Sequence, residues 1–376
     1  MRRRYLLLLV IGLVISPHWA ASADIVIGFA APLSGPYALT GHRNETAVEM
    51  AVRDINENGG VLGEQVSLVA VDDGCGLERS LEAARKLIGA GVHAVIGHMC
   101  SHASLLAAGL YETADVLMIT PDSTHPRLTE EGRRNVFRLI GRDDRQGELA
   151  GDFLADGWRG EKIAILHDGS TYGEGLAAAA RKRLRARDEV EAIYDFYVPG
   201  QEDFTDLVAR LRRERIAVLY VGGYGPDAGW IVRTARQQGY DLQVIGGDGL
   251  GMDEFWSIAR EAGNGTVYSD RPDATGAADG LLKRFRDRGL GTRGGGLGAY
   301  AAVQVWAQAV ERAGTVRVPE VAEVLRRSSF DTVLGPVSFD QKGDCEGAKW
   351  QWKVWSDGLQ VPLSRRAVTQ SIAPRR

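Results

Sequence analysis

The chain has 376 residues, 44% of them hydrophobic and 25% charged, with a formal net charge of −4. Those fractions are ordinary for a soluble globule. The mild acidity argues against a nucleic-acid partner, which needs a clustered basic face.

The N-terminus reads Met-Arg-Arg-Arg, then an apolar run from Tyr5 to Ile15, then Ala21-Ser22-Ala23 before Asp24. A basic start, a short apolar core and small residues at −3 and −1 describe a secretory signal peptide over residues 1–23. The run is too short for a membrane span, and no Cys follows it to carry a lipid. Cleavage after Ala23 leaves 353 of the 376 residues and removes three arginines, taking the formal charge from −4 to −7. No later apolar run approaches 18 residues, so the mature protein is expected to be soluble, with room for two domains.

From Asp24 onward the pattern alternates. Asp24–Ala30 is a predicted strand. Arg43–Asn58 is a helix with Ala47, Val48, Ala51 and Ile55 on one stripe, stopped by Gly59-Gly60. Val66–Val71 is a strand and Leu77–Ala90 a helix. Two short apolar runs follow, Ala94–Ile96 and Val116–Ile119, flanking a helix at Ala103–Thr113. After Arg142 the alternation restarts. Helices are predicted at Asp143–Gly157, Glu174–Ala186, Phe204–Arg213 and Pro226–Gln238. Strands are predicted at Lys162–Leu166, Ala192–Tyr197, Ala217–Val221, Gln243–Gly246 and Thr266–Ser269. The tail holds helices at Ala277–Arg288, Gly298–Ala313 and Val318–Ser328 around the Gly-rich Gly291–Gly296. A strand pair, Val337–Phe339 with Lys349–Val354, ends it, and Gln370–Arg376 is expected to be disordered. Strand–helix alternation argues for α/β architecture with parallel sheets covered by helices. The restart argues for two such sheets.

Ligands of open α/β sheets sit beyond the carboxyl ends of the strands. There the first half places Cys100-Ser101 and Thr120–Thr124. Ser101 also precedes a helix whose free N–H groups favour an anion. In the second half Tyr172, Tyr224 and Asp248 follow strands among glycines that permit close approach. Hydroxyls and a helix N-terminus suit a carboxylate, and the aspartate suits a cation. An α-amino-acid zwitterion fits both.

Enzyme signatures are missing. The first strand ends in Ala30-Ala31-Pro32 instead of a dinucleotide turn, and neither a P-loop nor a G-x-S-x-G elbow occurs. No catalytic residue and no cofactor is expected. His98, Cys100 and His102 hold two imidazoles and a thiol within five residues. A disulfided Cys cannot ligate and no second His/Cys cluster exists, so no metal is expected. In an oxidising compartment Cys75 and Cys100, each just after a predicted strand, are natural partners. Three unpaired thiols are the alternative. Cys345 reads as a free thiol.

Taken in order, Asp54-Ile55-Asn56 with Gly59-Gly60, Asp72-Asp73-Gly74-Cys75, Val95-Ile96-Gly97-His98-Met99-Cys100-Ser101, His167-Asp168 with Tyr172-Gly173-Glu174-Gly175, and Gly222-Gly223-Tyr224 resemble periplasmic branched-chain amino-acid-binding proteins (leucine/isoleucine/valine type) of ATP-driven importers. The resemblance runs from Asp24 to about Gly347. It implies a type I binding-protein fold of two doubly wound lobes joined by three crossovers near Arg142, Arg271 and Gln351. The first lobe would comprise residues 24–142 and 272–351, the second 143–271 and 352–376. It implies that Ser101 and Thr124 hold the ligand carboxylate. The Ser123 carbonyl, Tyr224 and Asp248 would take the ammonium, and Tyr172 would close over the ligand. Cys75 and Cys100 match the family's disulfide. Four positions depart from the pattern. Thr40 stands where an aromatic often caps the side-chain pocket, Asp122 where Gly is usual, and His102 where Ser is common. Asp248 is a methylene shorter than the usual Glu. These departures make Thr40, His102 and Asp122 the specificity candidates and imply a more polar pocket. The resulting expectation is a periplasmic, monomeric binding protein that delivers an amino acid to a membrane permease. The alternatives are a binding protein for another small acid or amide, and an exported enzyme.

Overall fold

The computed structural model describes residues 25–274, 278–288 and 296–363. The expected signal peptide, most of Gly291–Gly296 and the tail from 364, including Gln370–Arg376, lie outside the described residues.

The first sheet is built from β1 (Ile25–Ala31), β2 (Val66–Asp72), β3 (Ala94–Gly97), β4 (Leu117–Thr120) and β5 (Val136–Arg138), all parallel, in the order β2-β1-β3-β4-β5. Its helices are α1 (Ala38–Glu57), α2 (Leu77–Gly89), α3 (Ser101–Thr113) and the single turn α4 (Arg127–Glu130). The second sheet holds β6 (Ile163–His167), β7 (Ile193–Phe196), β8 (Val218–Gly222), β9 (Gln243–Gly246) and β10 (Val267–Asp270). They lie in the order β7-β6-β8-β9-β10, so the first sheet's winding is repeated. Around it pack α5 (Asp143–Gly157), α6 (Thr171–Arg185), α7 (Thr205–Arg213), α8 (Gly225–Gln237) and α9 (Asp253–Ala259).

Adjacent residues of one strand face opposite sides of a sheet, and each lobe uses both sides. In the first lobe Ile96 and Ile119 pack with α1 and the long tail helix α11 (Gly296–Ala313), while Val95 and Met118 pack beneath Leu87 and Tyr111. In the second lobe Leu166 and Val221 face Ile231 and Phe255, while Ile165 and Tyr220 face Leu176 and Leu154. Burial on both faces explains why these strands read as unbroken apolar runs.

The tail returns to both lobes. Helices α10 (Asp279–Asp287), α11 and α12 (Val318–Arg327) complete the first core. Strands β11 (Phe330–Thr332) and β12 (Gly335–Val337) form a hairpin, and β13 (Gln351–Ser356) with β14 (Leu359–Pro362) extends the second sheet antiparallel to β10. The predicted pairing of Val337–Phe339 with Lys349–Val354 is therefore corrected. The tight Val333-Leu334 turn gives β12 to β11, and β13 runs along β10. Helix α1 also starts five residues before Arg43. Its first turn carries the exposed Leu39 and no apolar stripe, so hydrophobic periodicity does not report it. Strands β5, β11 and β14 and helices α4 and α9 are too short for periodicity to reveal.

Cys75 and Cys100 are disulfide-bonded, with Cα atoms 5.7 Å apart and a sequence separation of 25, and Cys345 is free. The bridge pins the loop after β2 to the start of α3. Replacing both half-cystines by Ser is expected to lower unfolding free energy by about 3 kcal/mol, the chain-entropy figure for a loop of this size. Urea unfolding should show this as a lower midpoint.

Candidate ligand-binding cleft

The carboxyl ends of both parallel sheets open onto one cleft between the lobes. Its cavity has an empty volume of about 620 Å3, part of it open to solvent. The first lobe lines it with Thr40, Arg43, Met99, Ser101, Asp122, Thr124 and Ile140, and the second with Tyr172, Tyr224, Asp248, Gly249, Gly251, Met252, Asp270 and Arg271.

Ser101 is the first residue of α3, and its hydroxyl accepts the His125 N–H at 3.3 Å. Thr124 is buried beside it in the loop after β4. Oxygen chemistry at a helix N-terminus is suited to an anion. Ser123 lies deeper and does not line the cavity. Its hydroxyl donates to the carbonyls of His98 (3.1 Å) and Met99 (3.0 Å), and its own carbonyl accepts from Arg138 at 3.4 Å.

Across the cleft, the Tyr172 phenol donates to Asp248 at 2.8 Å and accepts the Gly249 N–H at 3.0 Å. A methyl at Gly249 would meet the Gly223 carbonyl at 2.5 Å and the Tyr172 hydroxyl at 3.1 Å, so glycine is required for this approach. Gly173 plays the same part under α6, where a methyl would strike the Gly222 carbonyl at 2.4 Å. Tyr224 is sandwiched between Tyr37 and Tyr172, at centroid distances of 4.9 and 5.0 Å. Asp248 keeps part of its surface toward the cavity. Burial pushes its carboxyl up to about 6 against the Tyr172 hydrogen bond, and the Asp270 charge adds to the rise.

The three specificity candidates separate. Asp122 lines the cavity, accepts from Asn44 at 2.6 Å and lies 3.8 Å from Arg271, with burial raising its pKa against both. Thr40 lines the cavity, but both its N–H (2.9 Å) and its hydroxyl (2.6 Å) donate to Glu254 of the other lobe. His102 does not line it. Its Nε2 lies 2.6 Å from the Cys75 carbonyl, so the ring stays on the disulfide loop. His98 is fully buried between Asp73 and Tyr111, so His98, Cys100 and His102 do not converge as metal ligands, and among the described residues no His/Cys/Asp/Glu cluster could hold an ion.

Sequence reasoning missed Arg43, Asp270 and Arg271. Arg43 ion-pairs with Asp253 across the cleft, and Arg271 donates to the Pro121 carbonyl at 2.7 Å. Asp270 pairs with Lys353 at 3.1 Å. Arg271 directly follows β10, the signal that could have found it; Arg43 gave none, being read as the start of its helix.

Thr40 and Arg43 from α1 therefore meet Glu254 and Asp253 from α9, fastening the lobes beside the cavity. Each hydrogen bond to a charged group contributes about 1.5–3 kcal/mol. Glu254→Ala is expected to weaken ligand affinity about tenfold or more by loosening the closed arrangement, measured by calorimetry at saturating and subsaturating ligand.

A sequence profile described as "Periplasmic binding protein" matches residues 24–348. The chain is 37% identical over 351 residues to "Leu/Ile/Val-binding protein homolog 1" of Brucella suis, covering 92% of this chain and 95% of that one. It is 35% identical over 342 residues to the "Leucine-, isoleucine-, valine-, threonine-, and alanine-binding protein" of Pseudomonas aeruginosa, covering 89% and 91%. Among solved structures, the branched-chain amino acid transporter substrate-binding protein LivJ of Streptococcus pneumoniae, in complex with isoleucine, superposes with a TM-score of 0.82 at 25% identity. That match covers 90% of this chain and 98% of LivJ.

Proposed function

The chain belongs to the periplasmic binding protein family, a family of solute-binding components and not of enzymes, and we propose that this member captures an α-amino acid between its lobes for an ABC permease. The observation that carries this reading is the split cavity wall, with Ser101 and Thr124 on one side and Tyr172, Tyr224 and Asp248 on the other. The ligand carboxylate meets the hydroxyls and amides at the start of α3. The ammonium meets Asp248 and Tyr224, and Tyr172 holds Asp248 in place; the expected part of the Ser123 carbonyl is dropped, because Ser123 lies off the cavity and its carbonyl already accepts from Arg138.

Among the described residues, those within 25–142 and 272–350 make the first lobe and those within 143–271 and 351–363 the second; the expected boundary after 351 moves back by one residue because Gln351 pairs with Asp270 in the second sheet. Closure brings them together around the ligand, which supplies contacts absent from the open form. The mature protein is exported by cleavage of residues 1–23, acts in the periplasm as a monomer, and delivers its cargo to the membrane-embedded partner. The relatives' names support branched-chain or small amino acids as cargo. Asp122 and Thr40 at the side-chain end support ligands somewhat more polar than leucine.

A second reading, a binding protein for a small non-amino acid or amide, is favoured by Arg43 and Arg271 in the wall. Calorimetry on refolded, ligand-stripped mature protein decides between them. Tight binding within a panel of common amino acids is expected. Asp248→Ala should then weaken it about a hundredfold, because an ammonium left facing no carboxylate costs roughly 2–5 kcal/mol. Silence across the panel, with heat from small carboxylates or amides that Asp248→Ala leaves unchanged, selects the second reading.

A further inference from the structure

At the side-chain end of the cavity two opposite charges approach without bonding. Asp122 lies in the loop after β4 and Arg271 directly follows β10, and both line the cavity. The Asp122 Oδ2 accepts from Asn44 at 2.6 Å, while its Oδ1 stands 3.8 Å from Arg271 Nη2, beyond hydrogen-bond range. A guanidinium carries five N–H donors. Arg271 Nη2 donates to the Pro121 carbonyl at 2.7 Å, and Nη1 is buried with no hydrogen-bond partner. The guanidinium nevertheless has a shaped seat. A methyl at Gly298 of α11 would meet Nη1 at 2.5 Å, so glycine leaves the room it needs. The neighbouring charges are taken. Arg43 pairs with Asp253, and Asp270 pairs with Lys353 and accepts the Arg271 backbone N–H at 2.7 Å. Burial raises the Asp122 carboxyl against the Arg271 charge and the Asn44 hydrogen bond, as expected of a carboxylate short of donors.

We propose that Asp122 and Arg271 form a subsite that reads the end of the ligand's side chain, and that it selects the neutral carboxamide of asparagine or glutamine. This rests on the amino-acid reading above and names the cargo within it. The carboxamide oxygen accepts from the Arg271 guanidinium and the carboxamide nitrogen donates to the Asp122 carboxylate, so one planar group bridges the gap. The pair sums to zero charge, which decides between polar side chains. A ligand carboxylate would face Asp122, and a side-chain ammonium would face Arg271, where little water screens the repulsion. A hydrocarbon side chain would fill the same space and leave both charged groups stripped of water and unpaired. Sites built to hydrogen-bond a polar group reject the analogue lacking it far more strongly than apolar pockets reject an added hydroxyl. Leucine and asparagine make the contrast sharp. Each side chain branches at Cγ into two terminal heavy atoms, and only those of asparagine can donate and accept.

The test is calorimetry of the full mature protein, refolded free of ligand, with L-asparagine, L-glutamine, L-leucine and L-aspartate. Asparagine or glutamine is expected to bind at least about tenfold tighter than leucine and aspartate. Arg271→Met keeps the reach of the side chain and removes its donors, and Asp122→Gly removes the acceptor. Each should cut the ratio of carboxamide to leucine affinity about tenfold. A purely structural part for Arg271, holding the Pro121 carbonyl, would weaken every ligand alike and leave that ratio unchanged, which would overturn the proposal. Wild-type protein that binds leucine or aspartate as tightly as both amides overturns it too. That comparison needs no variant, so it decides alone if the variants do not fold. Silence from all four, and from the wider amino-acid panel, is a different result: it sinks the amino-acid reading itself, and the proposal with it.

Discussion

The cleft depends on one buried peptide unit, His98. Its imidazole is held by Asp73 at 2.6 Å and Tyr111 at 3.0 Å, and its carbonyl accepts hydroxyls from Thr120 (2.8 Å), Ser123 (3.1 Å) and Ser104 (3.2 Å). These partners come from the loop after β2, from α3 and from the end of β4, so one residue joins three segments. Each neutral hydrogen bond adds only about 1 kcal/mol net, but a buried group left unpaired costs more than that. The network therefore holds as a unit. Ser101 and Thr124 flank it, and the disulfide closes its outer edge. A cavity wall made of short side chains needs such a base, because Ser and Thr have little reach to adjust.

How much of this was legible follows from what sequence patterns encode. Strands buried on both faces announce themselves, and the hydroxyl and glycine clusters at their ends announce the cleft; Ser101, Thr124, Tyr172, Tyr224 and Asp248 were found that way. Direction was not legible. His102 and Asp122 are equally polar loop-end residues, yet the helical turn aims His102 at the Cys75 carbonyl and leaves Asp122 in the wall. Nor was proximity between distant segments. Thr40 read as a loop residue, since nothing local says that Glu254, more than two hundred positions later, accepts its hydroxyl. Arg43 was hidden for a related reason, because its partners belong to α9, a helix too short to predict.

Most polar groups at the side-chain end are engaged with one another, Thr40 with Glu254, Arg43 with Asp253, Asp122 with Asn44, and Asp270 with Lys353, while Arg271 keeps a buried Nη1 without a hydrogen-bond partner. Satisfied polar groups form a wall without demanding a ligand partner, whereas unsatisfied ones penalise any ligand that leaves them bare. Selection at that end thus works by shape, by what the wall tolerates and by whether a ligand meets the Arg271 guanidinium. At the other end Ser101, Thr124, Tyr172, Tyr224 and Asp248 line the cavity from opposite lobes.

Among the described residues the chain passes between the lobes three times, between β5 and α5, between β10 and α10, and between β12 and β13. Two passages are bolted together: Asp344 takes Arg138 and Arg142, and the Trp350 indole donates to the Arg142 carbonyl at 3.3 Å. A body tethered by one strand can swivel and tilt freely. Bodies tethered by three, two of them fused, keep little more than rotation about the line through the tethers. Occupancy of the cleft is thereby converted into a single angle. A flat partner resting across both lobes could read that angle as a yes-or-no signal without touching the ligand.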